Sequence, residues 1–305
     1  MHDKTVIGRN VTALPLALLL VLGANWGLGF ALAKLGVTHG LSPLAYIYWQ
    51  CTGAGLVLLA ICAARGELPP LGWRHVRYYL IAGATNIAAP NTAAVTSVQY
   101  IPVGIVVLIV TLTPLLAYGL AQLFGLERFD WRRALGIALG FVGVLLILVP
   151  RTSLPSPDMA GWVLLAVLTP TFYAGSNLYI GWARPARVPS LALGAAMQLA
   201  AGIVLLPVAL ASGPFHVPLP PFTTGELANL GHVAVAAIGA LLFFEIIRMA
   251  GAVFLSQVGY VVCLSGVFWG YLIFDEHLSL WVWAAIASIL CGLVLVTRPS
   301  AARAC

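Results

Sequence analysis

Ten apolar runs, each about twenty residues long, make up most of this 305-residue chain. A helix of that length is needed to cross a hydrocarbon core of about 30 Å. Only helices and closed barrels satisfy their backbone groups in lipid, and the period-two alternation of a barrel is absent here. The runs therefore predict transmembrane helices at residues 13–37, 42–64, 76–98, 101–124, 131–150, 159–183, 188–212, 228–250, 252–274 and 279–297.

Charged residues are too scarce for a soluble protein of this size. They make up 8% of the chain against 61% hydrophobic residues, whereas an ordinary soluble domain carries about 25% charged residues. Much of the outer surface must face lipid, and the net charge of +6 does not indicate a nucleic-acid partner. The five cysteines are scattered without a Cys-x-x-Cys spacing, so neither a metal site nor a disulfide framework is predicted. We expect no cofactor.

The Lys and Arg residues divide unequally between the two sides of the predicted bundle. With a cytoplasmic N-terminus, all of the 15 except Lys34 and Arg151 lie on the inner side. Cytoplasmic loops of membrane proteins carry the excess of Lys and Arg. Because a missed helix would exchange the sides of every later loop, the unequal division also supports the predicted number of spans. The distribution predicts a multi-pass membrane protein with both termini in the cytoplasm.

The second half of the chain repeats the first at an offset of about 149 residues. The superposed pairs are Glu127 with Glu276, Gly143 with Gly292, Pro150 with Pro299 and, after slips of one or two residues, Trp26 with Tyr173 and Gln50 with Gln198. Because five spans is an odd number, the two copies lie upside down to each other, as in many secondary transporters. We therefore predict an all-α membrane protein with ten transmembrane helices as two inverted five-helix repeats.

This repeat also defines the expected domains. Residues 13–150 form the first five-helix repeat and residues 158–298 the second, inverted one. Residues 1–12 and 299–305 are then cytoplasmic tails. Inverted-repeat transporters place the substrate site at the repeat interface near mid-membrane, so we expect a central cavity there.

Short motifs recur in the first, fourth and fifth spans and again in the second half. They are Trp26-Gly27-Leu28-Gly29-Phe30 with Lys34, Thr113-Pro114-Leu115, Glu127-Arg128-Phe129 with Gly136, Gly140 and Gly143, and Phe274-Asp275-Glu276 with Gly292. In these motifs the sequence resembles the EamA-type transporters of the drug/metabolite transporter superfamily. The resemblance covers nearly the whole chain and implies an exporter of amino acids and related metabolites. Gln50 stands where many relatives place an Arg, which leaves an anion-clamping role there in doubt.

Neutral polar and aromatic residues near the middle of the spans are the candidate substrate contacts. Amides and phenols supply hydrogen bonds without the cost of a buried charge, and aromatic faces suit an apolar or cationic ligand. Such a lining favours a zwitterion with an apolar side chain over a sugar phosphate. The candidates are Trp26, Gln50, Asn86, Asn91, Tyr173, Asn177, Gln198 and Tyr260. We expect Trp26 and Tyr173, and likewise Gln50 and Gln198, on opposite walls at similar depth.

The alternative for each of these residues is a structural role. Amides and hydroxyls commonly bond across packed helices in membranes, and the sequence alone does not decide between the two.

Ionisable groups within spans are functional candidates by default. Glu245 is the only acid that we place in a span, and Arg248 follows it by three residues, so the two can pair on one helix face. This pair is either a structural ion pair or a site of substrate or proton coupling. Lys34 is expected to snorkel to the outer surface, and Asp275 and Glu276 are expected to be solvated.

Pro90, Pro114 and Pro170 lie within predicted spans. A proline removes one backbone hydrogen bond and kinks a helix. We therefore predict hinges at these three positions.

The sequence favours a secondary transporter that exports small metabolites, with amino acids favoured, including apolar or aromatic ones, by alternating access through a central cavity. No phosphate-binding Gly-x-x-x-x-Gly-Lys-[Ser/Thr] loop is present, so ATP is not the direct fuel. The alternatives are an uncoupled facilitator of small solutes and a membrane-embedded enzyme acting on a lipid or polar head group, although no catalytic motif supports an enzyme. The expected partners are a small-molecule substrate and the lipid bilayer, and a monomer is compatible with the sequence.

The predicted topology is testable by cysteine labelling with a membrane-impermeant reagent. Single cysteines in the loops at residues 63–75 and 125–134 should react only from the cytoplasmic side, because these loops carry Lys and Arg. A cysteine in the loop at residues 213–226 should react only from outside. Labelling of both sets of loops from one side would contradict the inverted repeat.

Overall fold

The computed structural model describes residues 13–126, 129–148, 154, 156–213, 215–255 and 257–297. These residues form twelve α-helices, a π-helical turn at Ala84–Ala88 and a short 3₁₀ turn at Pro157–Met159. The α-helices are α1 Ala13–Thr38, α2 Pro43–Ala64, α3 Trp73–Gly83, α4 Ala89–Val98, α5 Val103–Val110, α6 Thr113–Leu123, α7 Trp131–Leu148, α8 Ala160–Ala183, α9 Ser190–Ala211, α10 Thr224–Leu255, α11 Val258–Phe274 and α12 Leu280–Thr297.

Seven helical segments within the described residues are long and apolar enough to cross a membrane. Two shorter apolar helices, Val258–Phe274 and Leu280–Val296, follow them. The third predicted span lies on α3, the π-helical turn and α4, which run on without a loop. Each predicted span therefore falls on helix, whereas the count of ten membrane crossings stays a prediction. The predicted tails and the motif residues Glu127, Arg128, Pro150 and Pro299 lie outside the described residues.

One predicted boundary coincides with a sharp break in the backbone. α10 runs past the predicted end of its span, and Gly251 has a non-helical conformation with φ of 83°. Glycine tolerates this left-handed region because it has no Cβ. α10 also begins at Thr224, earlier than predicted, so Glu226 lies in its first turn. The expectation that Glu245 is the only acid in a span is therefore wrong.

The fifth and the last spans show that the two halves are inverted. Gly136 of α7 packs against Gly292 of α12, while Gly143 of α7 packs against Ile289. Partner numbers thus fall along α12 as they rise along α7, so the two helices are antiparallel. Ser288 Oγ donates to the carbonyl oxygen of Leu139 at 2.8 Å. These two residues are 149 positions apart in the sequence, which is the offset of the repeat. Equivalent positions of the two repeats therefore meet, as they must at a two-fold axis.

The remaining helices exchange partners in the same way. α1 of the first half packs on α10 and α11, and its counterpart α8 packs on α4, α5 and α6. α2 packs on its own counterpart, α9. Each repeat therefore inserts its first helix between the third and fourth spans of the other, which makes the interface between repeats the centre of the bundle.

Two breaks in the helices follow from prolines near that interface. Pro90 has no N–H, and just before it the N–H of Ala89 bonds to the carbonyl of Ala84, one residue further back than in an α-helix. Pro114 leaves the carbonyl of Val110 without its helical donor. The hydroxyl of Thr113 donates to that oxygen at 2.6 Å instead.

One end of the bundle is held by an ion pair that the sequence reasoning missed. Lys34 Nζ at the end of α1 lies 2.6 Å from Glu276 Oε1 beyond α11, and their side chains are only 16% and 9% exposed. The backbone N–H of Val103, which begins α5, donates to the same carboxylate at 3.0 Å. The expectations of a snorkelling Lys34 and a solvated Glu276 are therefore wrong, because each side chain has a buried partner of opposite charge.

The α7–α12 contact can be tested with a matched pair of glycine variants. A Cβ at Gly292 would lie 2.5 Å from the carbonyl oxygen of Gly136, whereas a Cβ at the exposed helical Gly175 would meet no atom within 4 Å. Gly292→Ala should therefore lower the free energy of unfolding by about 1 to 3 kcal/mol through overpacking. Gly175→Ala should leave it unchanged or raise it by up to about 1 kcal/mol. Thermal unfolding in detergent measures both, and equal midpoints would contradict this packing.

Candidate functional site

A cavity of about 720 Å³ lies between the two repeats and is lined by residues of α1, α2, α4, α8, α9 and α10. Its size is within the range of sites that hold small organic ligands. Seven of the eight predicted contact residues line it, namely Trp26, Gln50, Asn86, Asn91, Tyr173, Asn177 and Gln198. The structure thus brings together side chains from both repeats.

The two ends of the cavity differ. At the end where α1 finishes, which we call the Lys34 end, the lining residues Ala33, Tyr46 and Ile47 are at most 1% exposed. At the other end, which we call the Arg184 end, the cavity reaches the exposed side chain of Arg184. The cavity is therefore closed by packed side chains at the Lys34 end and reaches the surface at the Arg184 end.

Aromatic side chains form one wall. The ring of Trp26 on α1 lies 5.9 Å from that of Phe243 on α10, and Phe30 and Phe244 extend the same lining. Such faces bind apolar or cationic groups. Among the described lining residues, Arg184 is the only Lys or Arg, and Asp and Glu are absent.

The opposite wall carries amides and hydroxyls that bond across helices. Tyr173 Oη of α8 donates to Asn91 Oδ1 of α4 at 2.9 Å. Asn86 Nδ2, in the π-helical turn, donates to Ser176 Oγ at 2.6 Å and to Asn177 Oδ1 at 3.4 Å. Asn86, Asn91, Tyr173 and Asn177 therefore line the cavity and also join the two repeats, and their contact with a substrate stays a prediction.

Gln198 differs from those amides because one of its atoms has no partner. Its Oε1 is buried and accepts no hydrogen bond from the described residues. A buried acceptor left unpaired costs about 1 to 3 kcal/mol. Gln198 itself lines the cavity, so a rotation of its amide would present this oxygen to the cavity.

The expected depth of the two glutamines is wrong. α2 and α9 are antiparallel, since Thr52 packs against Gly202 and Gly55 against Leu199. Gln50 therefore lies towards the Lys34 end and Gln198 towards the Arg184 end. The two-fold axis that relates the repeats lies in the membrane plane and exchanges the two halves of the bilayer. Equivalent residues therefore share the same depth only when they lie near the middle of their helices, as Trp26 does.

Tyr260 is the one predicted contact residue that does not line the cavity. It lies in the first turn of α11 and packs, partly buried, against the main hydrophobic core. The span predicted at residues 252–274 includes this helix, which begins at Val258. Each residue turns a helix by about 100°, so the rotation of α11 decides which side chains face inward.

The predicted hinges lie at three different kinds of site. Pro90 follows the π-helical turn, and its carbonyl oxygen accepts a 3.2 Å hydrogen bond from Thr169, the neighbour of Pro170. Pro170 itself lies inside the continuous helix α8. Pro114 lies in the first turn of α6, just after the break at Thr111. Movement at these three positions stays a prediction.

Glu245 and Arg248 are bonded to each other on the surface of α10. Arg248 Nε donates to Glu245 Oε2 at 2.9 Å, and the side chains are 72% and 41% exposed for Arg248 and Glu245. Neither residue lines the cavity, although their neighbours Phe244 and Ile247 do. This geometry favours the structural interpretation of the pair over a coupling role.

Sequence reasoning missed His232 and Tyr46, both of which line the cavity. The hydroxyl of Tyr46 lies 3.0 Å from His232 Nδ1. A signal was present in α10, where His232, Ala236, Ala240 and Phe243 recur at intervals of three or four residues, the spacing of one helix face. The prevailing hydrophobicity of the span concealed it.

Comparison with known proteins identifies the architecture that holds this cavity. The EamA-like transporter family matches twice, at residues 13–149 and 160–298. The chain belongs to the EamA-like transporter family. It is therefore a multi-pass membrane transporter of the drug/metabolite transporter superfamily, and its two family domains coincide with the two inverted halves.

Individual relatives agree with this membership. Protein PecM of Dickeya dadantii is 28% identical over 260 residues, which are 83% of this chain and 82% of PecM. The uncharacterized transporter YvbV of Bacillus subtilis is 26% identical over 302 residues, covering 97% of this chain and 94% of YvbV. A crystal structure shares the fold with a TM-score of 0.60 at 17% identity, over 91% of this chain and 95% of its own.

The role of Glu245 in this EamA-like protein can be tested by Glu245→Gln. An exposed ion pair contributes about 0.2 to 1 kcal/mol, so the unfolding midpoint should fall only slightly. Because the pair does not line the cavity, the pH dependence of transport per folded molecule should stay as in the unmodified protein. Loss of the response to a pH gradient in a well-folded Glu245→Gln protein would instead assign coupling to this carboxylate.

Proposed function

We propose that this EamA-like protein is a secondary transporter that exports small metabolites by alternating access, with amino acids that carry apolar or aromatic side chains as the favoured substrates. The observation that carries the proposal is the cavity between the two repeats, whose walls combine aromatic rings with amide and hydroxyl groups and, among the described residues, include a single cationic side chain. Transporters built from inverted repeats bind substrate at that interface.

A zwitterion matches this lining better than a phosphate ester does. Its ammonium group can donate to the unpaired Oε1 of Gln198 once the amide rotates towards the cavity. Its carboxylate can accept from the amide group of Gln50. Its side chain can rest on the ring of Trp26. A sugar phosphate would need several Arg or Lys for its charge, and Arg184 alone is available at one end of the cavity.

The charge distribution supports an orientation for this conformation. The Arg184 end carries the Arg-rich loops that the sequence places in the cytoplasm, and the Lys34 end carries few cations. In the bacterial inner membrane the structure then corresponds to the inward-facing state, with both termini cytoplasmic. A solute would enter from the cytoplasm, and closure of that end with opening of the Lys34 end would release it outside.

Flux measurements in proteoliposomes test the proposal. The purified full chain is reconstituted and offered radiolabelled L-phenylalanine, L-leucine, L-lysine, L-glutamate and glucose 6-phosphate, with and without a pH gradient. We expect saturable flux of the apolar and aromatic amino acids and none of glucose 6-phosphate. Flux that ignores the gradient would indicate a facilitator, and conversion of a head-group substrate in detergent would indicate an enzyme.

A matched pair of amide variants separates solute binding from helix packing. Gln198→Leu removes an unpaired buried oxygen, so stability should hold or rise while apparent affinity falls about ten- to a hundred-fold, the equivalent of losing roughly 1.5 to 3 kcal/mol. Asn229 does not line the cavity, and Asn229→Leu removes a 2.8 Å bond from its Nδ2 to the backbone carbonyl of Tyr46. It should lower the unfolding midpoint and leave affinity per folded molecule unchanged. The reverse pattern would place the solute elsewhere.

A further inference from the structure

His232 occupies a distinct position in the cavity. It lies on α10 at the Lys34 end, partly exposed to the cavity that it lines. Its Nδ1 is 3.0 Å from the hydroxyl of Tyr46, and the two ring centroids are 5.7 Å apart. The other edge of the ring faces Gly29 of α1, where a Cβ would lie 2.9 Å from Nε2. The imidazole is thus held between three helices at the closed end of the site.

The charged groups on the neighbouring helices are already paired. On α1, Lys34 is bonded to Glu276. On α10 itself, Glu226 accepts hydrogen bonds from His216 and Thr223 in the loop before it. On α2 the facing titratable group is the hydroxyl of Tyr46. No acid among the described residues that line the cavity faces the imidazole.

Histidine is the side chain that ordinarily changes charge between about pH 5 and 8. Among the described residues that line the cavity, His232 is the only histidine, and Asp and Glu are absent. A titratable group in the solute cavity can make flux through it depend on a proton gradient across the membrane.

From this geometry we propose that His232 is the protonation site that couples solute export to the proton gradient. The proposal rests on the alternating-access function proposed above and adds the coupling ion and the residue that carries it.

The direction of coupling follows from hydration. In the present state the Lys34 end is closed by buried side chains, and an imidazolium there costs more than a neutral ring because a charge loses its hydration. Opening the Lys34 end admits water, so that state binds the proton more tightly. By linkage, protons then favour the state that is open at the Lys34 end. An acidic exterior would thus favour the solute-releasing conformation. When the solute-free carrier closes at the Lys34 end and reopens to the cytoplasm, the imidazolium loses hydration and releases its proton into the cavity that reaches the Arg184 end. One proton then enters for each solute that leaves.

Thiol accessibility tests this link without any solute. Ala33, which lines the cavity at the Lys34 end and is 1% exposed, is replaced by Cys in a full chain whose Cys291 and Cys305 are changed to Ser. The reconstituted protein is labelled with an impermeant methanethiosulfonate from the Lys34 side at a series of pH values from 7.5 to 5.5, which gives a midpoint for any pH response. The exposed His39→Cys on the same side corrects for the pH dependence of the thiol reaction itself.

We expect the corrected labelling rate of Ala33→Cys to rise up to about tenfold at pH 5.5, the effect of a proton affinity that differs about tenfold between the two states. Adding His232→Gln should abolish the rise. Adding Tyr46→Phe, which removes the bonded hydroxyl but keeps the imidazole, should retain the rise and shift its pH midpoint. If His232→Gln does not fold, the shift of the pH midpoint in Tyr46→Phe provides the test of His232.

Three results would overturn the proposal, namely a labelling rate that does not respond to pH, a full response that persists in folded His232→Gln, or a midpoint that Tyr46→Phe does not move. Because the assay contains no solute, failure of the amino-acid flux measurements would not by itself produce any of these results. The two proposals can therefore fail separately.

Discussion

Hydrocarbon offers no hydrogen bonds, so each spanning segment must satisfy its own backbone. Helices do this through their own backbone hydrogen bonds, and at two prolines that remove a donor the structure supplies a substitute. The hydroxyl of Thr113 bonds the carbonyl of Val110 that Pro114 leaves without a helical donor, and a wider turn precedes Pro90. Val110 and Asn86 both line the cavity. These two irregular turns therefore lie beside the cavity.

Antiparallel packing of equivalent helices decides the shape of that site. Small residues let α7 and α12 approach closely enough for Gly136 and Gly292 to be in contact. α2 and α9 also pack antiparallel to each other. The first helix of each repeat then crosses into the other, so the cavity wall draws on both halves. The buried pair of Lys34 and Glu276 binds α1 to the end of α11. Both charged side chains are largely shielded from solvent, so removing either one would leave the other as a charge without a partner.

Much of this was predictable because the repeat and the apolar runs are properties of spacing along the chain. The offset of 149 residues predicted which positions are equivalent, and the bond from Ser288 to Leu139 joins two of them. Seven of the eight predicted contact residues line one cavity, since polar groups in the middle of spans avoid lipid. Tyr260 does not, because the rotation of α11 depends on its neighbours. His232 was overlooked because its partner Tyr46 lies 186 residues away.

The sequence alone determined the helical class, the positions of the spans and the two-fold repeat, since apolar length, odd span count and offset are all local or periodic quantities. Only the tertiary structure decided which end of the cavity is closed, which amides are already bonded and which is left unpaired. Those features depend on contacts between helices far apart in the chain, such as Lys34 with Glu276 and Asn86 with Ser176. The energies of these contacts depend on interatomic distances and on burial, and neither can be read from the spacing of residues along the sequence.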